Sequence, residues 1–136
     1  MPRSLLLLSA AALLAAMPLS AGAQPAKPAL YTAEQATAGA AVYSGACSAC
    51  HGAQMEGVAA PALKGSAFGE MAAAQGLTAQ TLLDVIANTM PQSDPGSLKP
   101  EDNSAVTAYI LQQNGYPAGS TALAKGAAGL DAKVTP

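Results

Sequence analysis

Small and apolar residues recur at three- and four-residue steps in four stretches of the chain, and no stretch predicts a strand. In the first of them Thr32 is a suitable N-cap, and Gln35 completes the pattern of a capping box. Gly39 weakens a helix, which indicates that another backbone passes close to it. The spacing predicts a helix over residues 32–46. The residues that share one of its faces are Ala36, Gly39, Ala40, Tyr43 and Cys47.

Two shorter helices are predicted in the middle of the chain. The first covers residues 67–75 and is ended by Gly76. Thr78 can cap the second, which covers residues 79–89. The stripe that this second helix would bury consists of Leu82, Val85, Ile86 and Thr89.

The last predicted helix begins at Pro100, because the fixed φ of proline suits the first helical position. Asn114-Gly115 ends it. Its inward stripe consists of Val106, Tyr109, Ile110 and Gln113. Taken together, the four segments predict an all-α domain of about four short helices.

The N-terminal segment differs from this helical region. Arg3, the apolar residues 5–16 and the small residues 21–23 form the pattern of a cleavable secretory signal peptide. The apolar run is short for a membrane span, so we expect cleavage after residue 23 rather than an uncleaved anchor. Cleavage would leave the mature chain in the periplasm. We expect residues 24–31, which contain Pro25 and Pro28, to be a flexible leader.

Beyond Pro117 the helical pattern is lost. The apolar residues of this region are few and irregularly spaced: Leu123, Leu130 and Val134. We therefore divide the mature chain into a domain over residues 32–119 and a weakly patterned tail over residues 120–136. The pattern leaves open whether this tail lies over the surface or is mobile.

The composition limits what the mature chain can be. About 113 of the 136 residues remain after the signal, which is enough for one domain with a modest core. Aromatic residues make up only 4% of the chain and tryptophan is absent, so a large apolar cofactor would help to fill that core. Five lysines stand against eight acidic residues in the mature chain, which argues against nucleic acid as a partner.

Residues 47–51, Cys-Ser-Ala-Cys-His, contain both cysteines and the only histidine of the chain. Two thiols separated by two residues and followed at once by an imidazole are typical of c-type haem attachment. Cys47 and Cys50 would add to the two vinyl groups of one porphyrin. His51 would then bind the iron from one side.

Other functions of a cysteine pair fit this chain less well. A structural zinc site needs four ligands, usually as two separated pairs, and there is no second pair. A thioredoxin-like redox pair requires a βαβ context, which the pattern does not predict. A simple disulfide between Cys47 and Cys50 remains an alternative in an exported protein.

A haem held by His51 needs a second ligand, and methionine sulfur is usual in electron carriers. Outside the signal the candidates are Met55, Met71 and Met90. Met55 lies four residues after His51, too close to reach the opposite face of the haem. Met71 lies in an alanine-rich helix, where a gap-filling role in the core is expected. Met90, at a helix end before Pro91, is therefore the predicted second ligand.

The order of these features resembles that of a class I c-type cytochrome, and the resemblance covers residues 32–119. In chain order the features are a helix with Gly39 and Tyr43, the motif at 47–51, Pro61-Ala62-Leu63, Met90-Pro91 and a last helix with Tyr109. The runs 90–98, 108–111 and 114–119 are similar to small bacterial cytochromes that serve as partners or subunits of periplasmic dehydrogenases, including quinoprotein types.

This resemblance implies a fold in which short helices surround one covalently bound haem. It implies that Cys47 and Cys50 carry the thioethers and that His51 and Met90 are the axial ligands. In the family, the carbonyl of a proline that matches Pro61 accepts a hydrogen bond from the other nitrogen of the proximal imidazole, which fixes the orientation of the ring.

The resemblance also implies that the first helix contacts the last. Gly39 and Tyr43 match the positions at which the family's first helix meets Val106 and Tyr109 of the last helix. Packing of both tyrosines in the core is expected on ordinary grounds as well.

The expected function is electron transfer rather than catalysis, because iron with two protein ligands has no open position for a substrate. The expected partners are a dehydrogenase as donor and an oxidase or another cytochrome as acceptor. A gas sensor or a peroxidase-like enzyme is the rival interpretation, and it requires Met90 to be absent from the iron or easily displaced. A third interpretation is a docking subunit that uses the tail after Gly119.

Overall fold

The computed structural model describes residues 26–135, which form five α-helices and, within that range, no strand. The helices are α1 (Ala33–Ala46), α2 (Ser48–His51), α3 (Gly65–Gln75), α4 (Ala79–Thr89) and α5 (Pro100–Gln113). The prediction of an all-α fold is confirmed. The helix beyond the predicted four is α2, a single turn. The predicted signal, residues 1–23, lies outside the described residues.

Local hydrogen bonds explain where α1 and α4 begin, and a glycine explains where α3 ends. The hydroxyl of Thr32 accepts from the backbone N–H of Gln35 at 3.3 Å, and the Gln35 side chain accepts from the N–H of Thr32 at 3.4 Å. Thr78 and Thr81 form the same reciprocal pair at the start of α4. Gly76 ends α3 with a φ of 61°, a left-handed conformation that glycine adopts without strain.

Helices α1 and α5 pack directly against each other at Gly39. A Cβ atom at this position would overlap the carbonyl group of Ala105 and lie 2.9 Å from the Cβ of Tyr109. One turn later, the ring centroids of Tyr43 and Tyr109 are 5.7 Å apart. The resemblance implied such a contact, but Ala105 rather than Val106 lies nearest to Gly39.

The buried face of α4 differs in part from the predicted stripe. Leu82 and Ile86 are buried as predicted, whereas Val85 is 46% exposed. Thr89 is exposed as well, and Leu83 is buried in place of these two residues. Two adjacent leucines give two overlapping helical stripes, and spacing alone does not choose between them.

Helix α5 is buried on most of its circumference, including its polar positions. The buried polar residues are Asn103, Ser104 and Thr107. The hydroxyl of Thr107 donates to the carbonyl of Asn103 at 2.8 Å, so this polar group is satisfied within the helix. Small side chains of this kind allow α5 to pass through the interior while α1 and α4 pack on it.

The C-terminal tail is part of the packed structure. Its three large aliphatic residues, Leu123, Leu130 and Val134, are at most 2% exposed. The N–H of Val134 donates to the carbonyl of Leu77 at 2.7 Å, and the N–H of Gln80 donates to that of Leu130 at 2.7 Å. Of the two alternatives left open by the sequence, a tail that lies against the protein is the one observed.

The described part of the predicted leader, residues 26–31, ends in two buried residues. Leu30 is 8% exposed and Tyr31 is 1% exposed. The hydroxyl of Tyr31 donates to the carbonyl of Tyr116, and the N–H of Gly119 donates to the carbonyl of Tyr31 at 2.7 Å. These two residues at the end of the predicted leader belong to the core.

Candidate haem site

Residues 47–51 follow α1 directly and contain the single turn of α2. The N–H of Cys47 donates to the carbonyl of Tyr43 at 2.9 Å, and the N–H of His51 donates to the carbonyl of Cys47 at 3.0 Å. Residues three apart lie on the same side of a helical turn, so Cys47 and Cys50 face one side. Gly52, with a φ of 89°, ends the turn in a conformation that residues with a Cβ rarely adopt.

Both thiols of the motif are free, and neither cysteine is joined to the other in a disulfide. Cys50 is exposed and Cys47 is half-buried. Burial raises the pKa of the Cys47 thiol, and the neighbouring Cys50 raises it further. At neutral pH Cys47 is therefore a protonated thiol.

The His51 ring is held by the carbonyl group of Pro61. Its Nδ1 atom lies 2.7 Å from that carbonyl oxygen, which is the hydrogen bond that the family resemblance implies. Because a carbonyl oxygen only accepts, Nδ1 must carry the proton and donate it. The lone pair of Nε2 is then free to bind a metal ion.

The loop after the motif is folded so that Pro61 returns to His51. The N–H of Gly57 donates to the carbonyl of His51 at 2.8 Å. The N–H of Ala59 donates to the carbonyl of Cys50 at 2.9 Å. Gly57 has a φ of 82°, and a Cβ atom there would lie 2.7 Å from the backbone nitrogen of Ala62. Glycine is therefore required at position 57 for the loop to return Pro61 to His51.

The three methionines of the described chain occupy different environments. Met55 is 2% exposed and belongs to the hydrophobic core. Met71 is half-buried and packs against that core. Met90 is half-buried at the C-terminal end of α4, where its N–H donates to the carbonyl of Ile86 at 3.1 Å. Burial thus gives Met55 a structural role, and Met90 stays the predicted ligand.

Residues 34–110, more than half of the chain, match the family model described as "Cytochrome C oxidase, cbb3-type, subunit III". This is a family of class I c-type cytochromes. The chain belongs to this family. The match confirms the resemblance to class I c-type cytochromes, and its range contains residues 47–51, Pro61 and Met90. No curated protein and no solved structure was found to match the chain.

The residues of this cytochrome fit haem c, the cofactor that its family implies. Two free thiols on one side of a turn match the two vinyl groups of a porphyrin, and Nε2 of His51 is a suitable iron ligand. Val85, a large apolar residue that is 46% exposed on the helix that ends before Met90, also suits contact with an apolar cofactor.

One residue at this site was interpreted from the sequence only as a packing residue. Tyr43 does pack in the core, but its hydroxyl also donates to the carbonyl of Gly52 at 2.6 Å. Burial raises the pKa of Tyr43 to about 12, so the hydroxyl keeps its proton well above neutral pH. The only sequence signal for this contact is a tyrosine, rather than a phenylalanine, four residues before Cys47.

A separate surface groove of about 720 Å³ lies between the N-terminal parts of α1 and α5, α4 and the tail. None of the five candidate site residues lines it. Its four carboxylates have structural roles: Glu34, Glu101 and Asp102 lie in the first turns of their helices, and Asp84 lies 3.7 Å from Lys125. The groove is therefore not part of the haem site.

Proposed function

We propose that this cytochrome is an exported mono-haem carrier of the periplasm, which passes single electrons from a dehydrogenase to a downstream acceptor. The observation that carries the proposal is the environment of the only histidine. His51 adjoins both cysteines, and its Nδ1 atom is bound to Pro61 at 2.7 Å, which leaves Nε2 for the iron. Membership in a cytochrome c family supports the same function.

In this proposal each candidate residue has one role toward the haem. Cys47 and Cys50 hold the porphyrin through thioethers, and His51 and Met90 bind the iron from opposite sides. Pro61 fixes the tautomer and the plane of the His51 ring. Bound haem supplies one-electron exchange between Fe(III) and Fe(II). Because His51 and Met90 would together leave the iron no open position for a substrate, the proposed role is that of an electron carrier and not of an enzyme.

The surface next to Cys50 is the proposed contact with redox partners. Cys50 is exposed, and the carbonyl of Cys50 accepts from the N–H of Val58 at 3.2 Å. The Val58 side chain is 73% exposed, so an apolar group lies beside an attachment residue of the porphyrin. An apolar contact at this point would bring a partner close to the haem edge.

The proposed partners and location rest on separate features. The similarity of residues 90–98, 108–111 and 114–119 to dehydrogenase-associated cytochromes supports a dehydrogenase as donor. The family description names an oxidase, which supports an oxidase as acceptor. The secretory signal predicted over residues 1–23 supports the periplasm. Among the described residues, no helix is long and apolar enough to cross a membrane.

The first test is an optical spectrum of the protein expressed in the periplasm, recorded oxidised and then reduced. We expect sharp α and β bands after reduction, and in the ferric state the weak far-red band of iron bound by methionine sulfur. Covalent haem without the far-red band, together with tight carbon monoxide binding by the reduced protein, would contradict electron transfer. That result would favour a gas sensor or a peroxidase-like enzyme.

Met90→Ala and Met71→Ala form a matched pair that tests the second ligand. Met90→Ala should keep covalent haem, lose the far-red band and bind carbon monoxide when reduced. Its reduction potential should fall, because methionine ligation raises it. Met71→Ala should keep the band and lose only stability, by ~0.5–3 kcal/mol. Loss of the band in Met71→Ala alone would make Met71 the ligand.

A further inference from the structure

Tyr43 makes two hydrogen bonds that span the haem motif. Its backbone carbonyl accepts from the N–H of Cys47 at 2.9 Å, at the start of the motif. Its hydroxyl donates to the carbonyl of Gly52 at 2.6 Å, one residue after the end of the motif. One residue of α1 therefore binds both ends of the segment 47–52.

The hydrogen bond donated by the Tyr43 hydroxyl is buried, and packing against α5 holds the Tyr43 ring in place. The side chain is 2% exposed, so water does not compete for the hydroxyl. The ring lies 5.7 Å from the ring of Tyr109 on α5, measured between centroids. Gly39, one turn earlier on α1, allows α5 to approach closely enough for this contact. The hydroxyl is thus anchored to the α1–α5 pair rather than to the loop.

Within residues 26–135, the carbonyl of Gly52 accepts from one other donor, and that hydrogen bond is longer. The N–H of Met55 lies 3.2 Å from it, compared with 2.6 Å for the Tyr43 hydroxyl. Gly52 directly follows His51, so the position of this carbonyl constrains the backbone of the histidine. The ring of His51 is fixed on the other side by Pro61 at 2.7 Å. One hydrogen bond thus holds the backbone next to His51, and another holds its ring.

We propose that Tyr43 is a positioning residue for the proximal ligand. Through the carbonyl of Gly52 its hydroxyl fixes the backbone at His51, and thereby the orientation of the imidazole plane relative to the haem. This inference rests on the proposed function, since it requires His51 to bind the haem iron. Without the hydroxyl, Pro61 alone would orient the ring, and the plane would rotate or be less well defined.

The test compares Tyr43→Phe with Tyr31→Phe in the holoprotein. Both changes remove the hydroxyl of a buried tyrosine that donates to a backbone carbonyl, and both keep the aromatic ring in the core. The acceptor for Tyr31 is Tyr116, which lies outside the motif. Both variants should therefore show a lower thermal midpoint. Only Tyr43→Phe should alter the orientation of the His51 ring.

The readout is the proton NMR spectrum of the ferric low-spin protein, in which the haem-methyl resonances depend on the axial histidine plane. We expect these resonances to shift in Tyr43→Phe and to match the wild type in Tyr31→Phe. Equal haem-methyl shifts in the wild type and both variants would overturn the positioning role. Wild-type protein without covalent low-spin haem would instead overturn the proposed function on which the inference rests.

A second substitution covers the case in which Tyr43→Phe yields too little holoprotein. Incorporation of 3-fluorotyrosine at position 43 keeps the ring and the hydroxyl but makes the hydroxyl a stronger donor. At mildly acidic pH this protein should fold like the wild type and shift the haem-methyl resonances. An unchanged spectrum would again show that the hydroxyl does not act on His51.

Discussion

At the scale of single residues, the chemistry of the site depends on where protons are held. Nδ1 of His51 keeps its proton because it donates to the carbonyl of Pro61, and Nε2 is left unprotonated for iron. Tyr43 keeps its proton because burial, with smaller contributions from Cys47 and Glu56, raises its pKa to about 12. Neither proton can be placed from the identity of the residue alone.

The raised pKa of Tyr43 predicts how stability changes with pH. The pKa increases from its ordinary value of 10.0 to about 12, so the folded state binds this proton more tightly than the unfolded chain. The stabilisation is therefore complete below pH 10.0 and is lost as the pH rises through about 12. Urea unfolding of the reduced protein at increasing pH measures this loss.

Tyr43→Phe is the reference for that measurement. At neutral pH the wild type should be more stable than the variant by ~0.5–1.5 kcal/mol, the usual net value of a hydrogen bond. The difference should disappear as the pH approaches 12. A difference that stays constant over this range would show that the Tyr43 pKa is not raised.

The sequence located the motif because its chemistry lies in five consecutive residues, 47–51. The hydrogen bond of the Tyr43 hydroxyl could not be predicted in the same way. A phenylalanine would fill the same position in the core, so the pattern of apolar residues carries no information on the hydroxyl. Only the fold shows that Gly52 is within its reach.

At the scale of secondary-structure elements, substitution by alanine should have opposite effects on stability at two glycines of α1. A Cβ atom at Gly39 would overlap the carbonyl of Ala105 on α5, so Gly39→Ala should separate the helices and cost ~1–3 kcal/mol. A Cβ atom at Gly45 would meet nothing within 4 Å, so Gly45→Ala should stabilise α1 by ~0.5–1 kcal/mol. Thermal unfolding of both holoproteins measures the difference. Equal changes in the unfolding midpoint for the two variants would show that α1 and α5 do not pack against each other at Gly39.

Three helix ends were predictable because capping is local, whereas α3, which has no side-chain cap, begins at Gly65 and not at residue 67 as predicted. Thr32, Gly76 and Thr78 act within one turn of their own positions, and the structure has them at the ends of α1, α3 and α4. The buried face of α4 was predicted only in part. Leu82 and Leu83 are both buried, and which residue accompanies them depends on neighbours from other parts of the chain.

At the scale of the whole molecule, the packing of the tail predicts that a substitution far from the haem motif lowers stability strongly. Leu123 is 1% exposed, and Leu123→Ala should cost ~2–5 kcal/mol, the usual range for a large-to-small change in a core. Thr121→Ala, at an exposed position two residues earlier, should change stability by less than ~0.5 kcal/mol. Similar unfolding midpoints for the two variants would show that the tail does not contribute to the core.

The role of the tail could not be predicted because its contacts are distant in sequence. The Gln35 side chain donates to the carbonyl of Leu123 at 2.8 Å across a separation of 88 residues. It also accepts from the N–H of Leu123 at 2.7 Å. No local pattern records such a contact, and three irregularly spaced aliphatic residues have neither helical nor strand periodicity.

The two hydrogen bonds between Gln35 and Leu123 have a consequence for the order of events in the export that we propose. A chain that crosses a membrane from its N-terminus delivers residues 47–51 to the far side before residues 123–134. Until those last residues arrive, the Gln35 side chain lacks its partner and the core lacks three of its aliphatic residues. In the proposed export, Cys47 and Cys50 would therefore emerge on a polypeptide that cannot yet complete its core, which would give the attachment reaction access to both thiols.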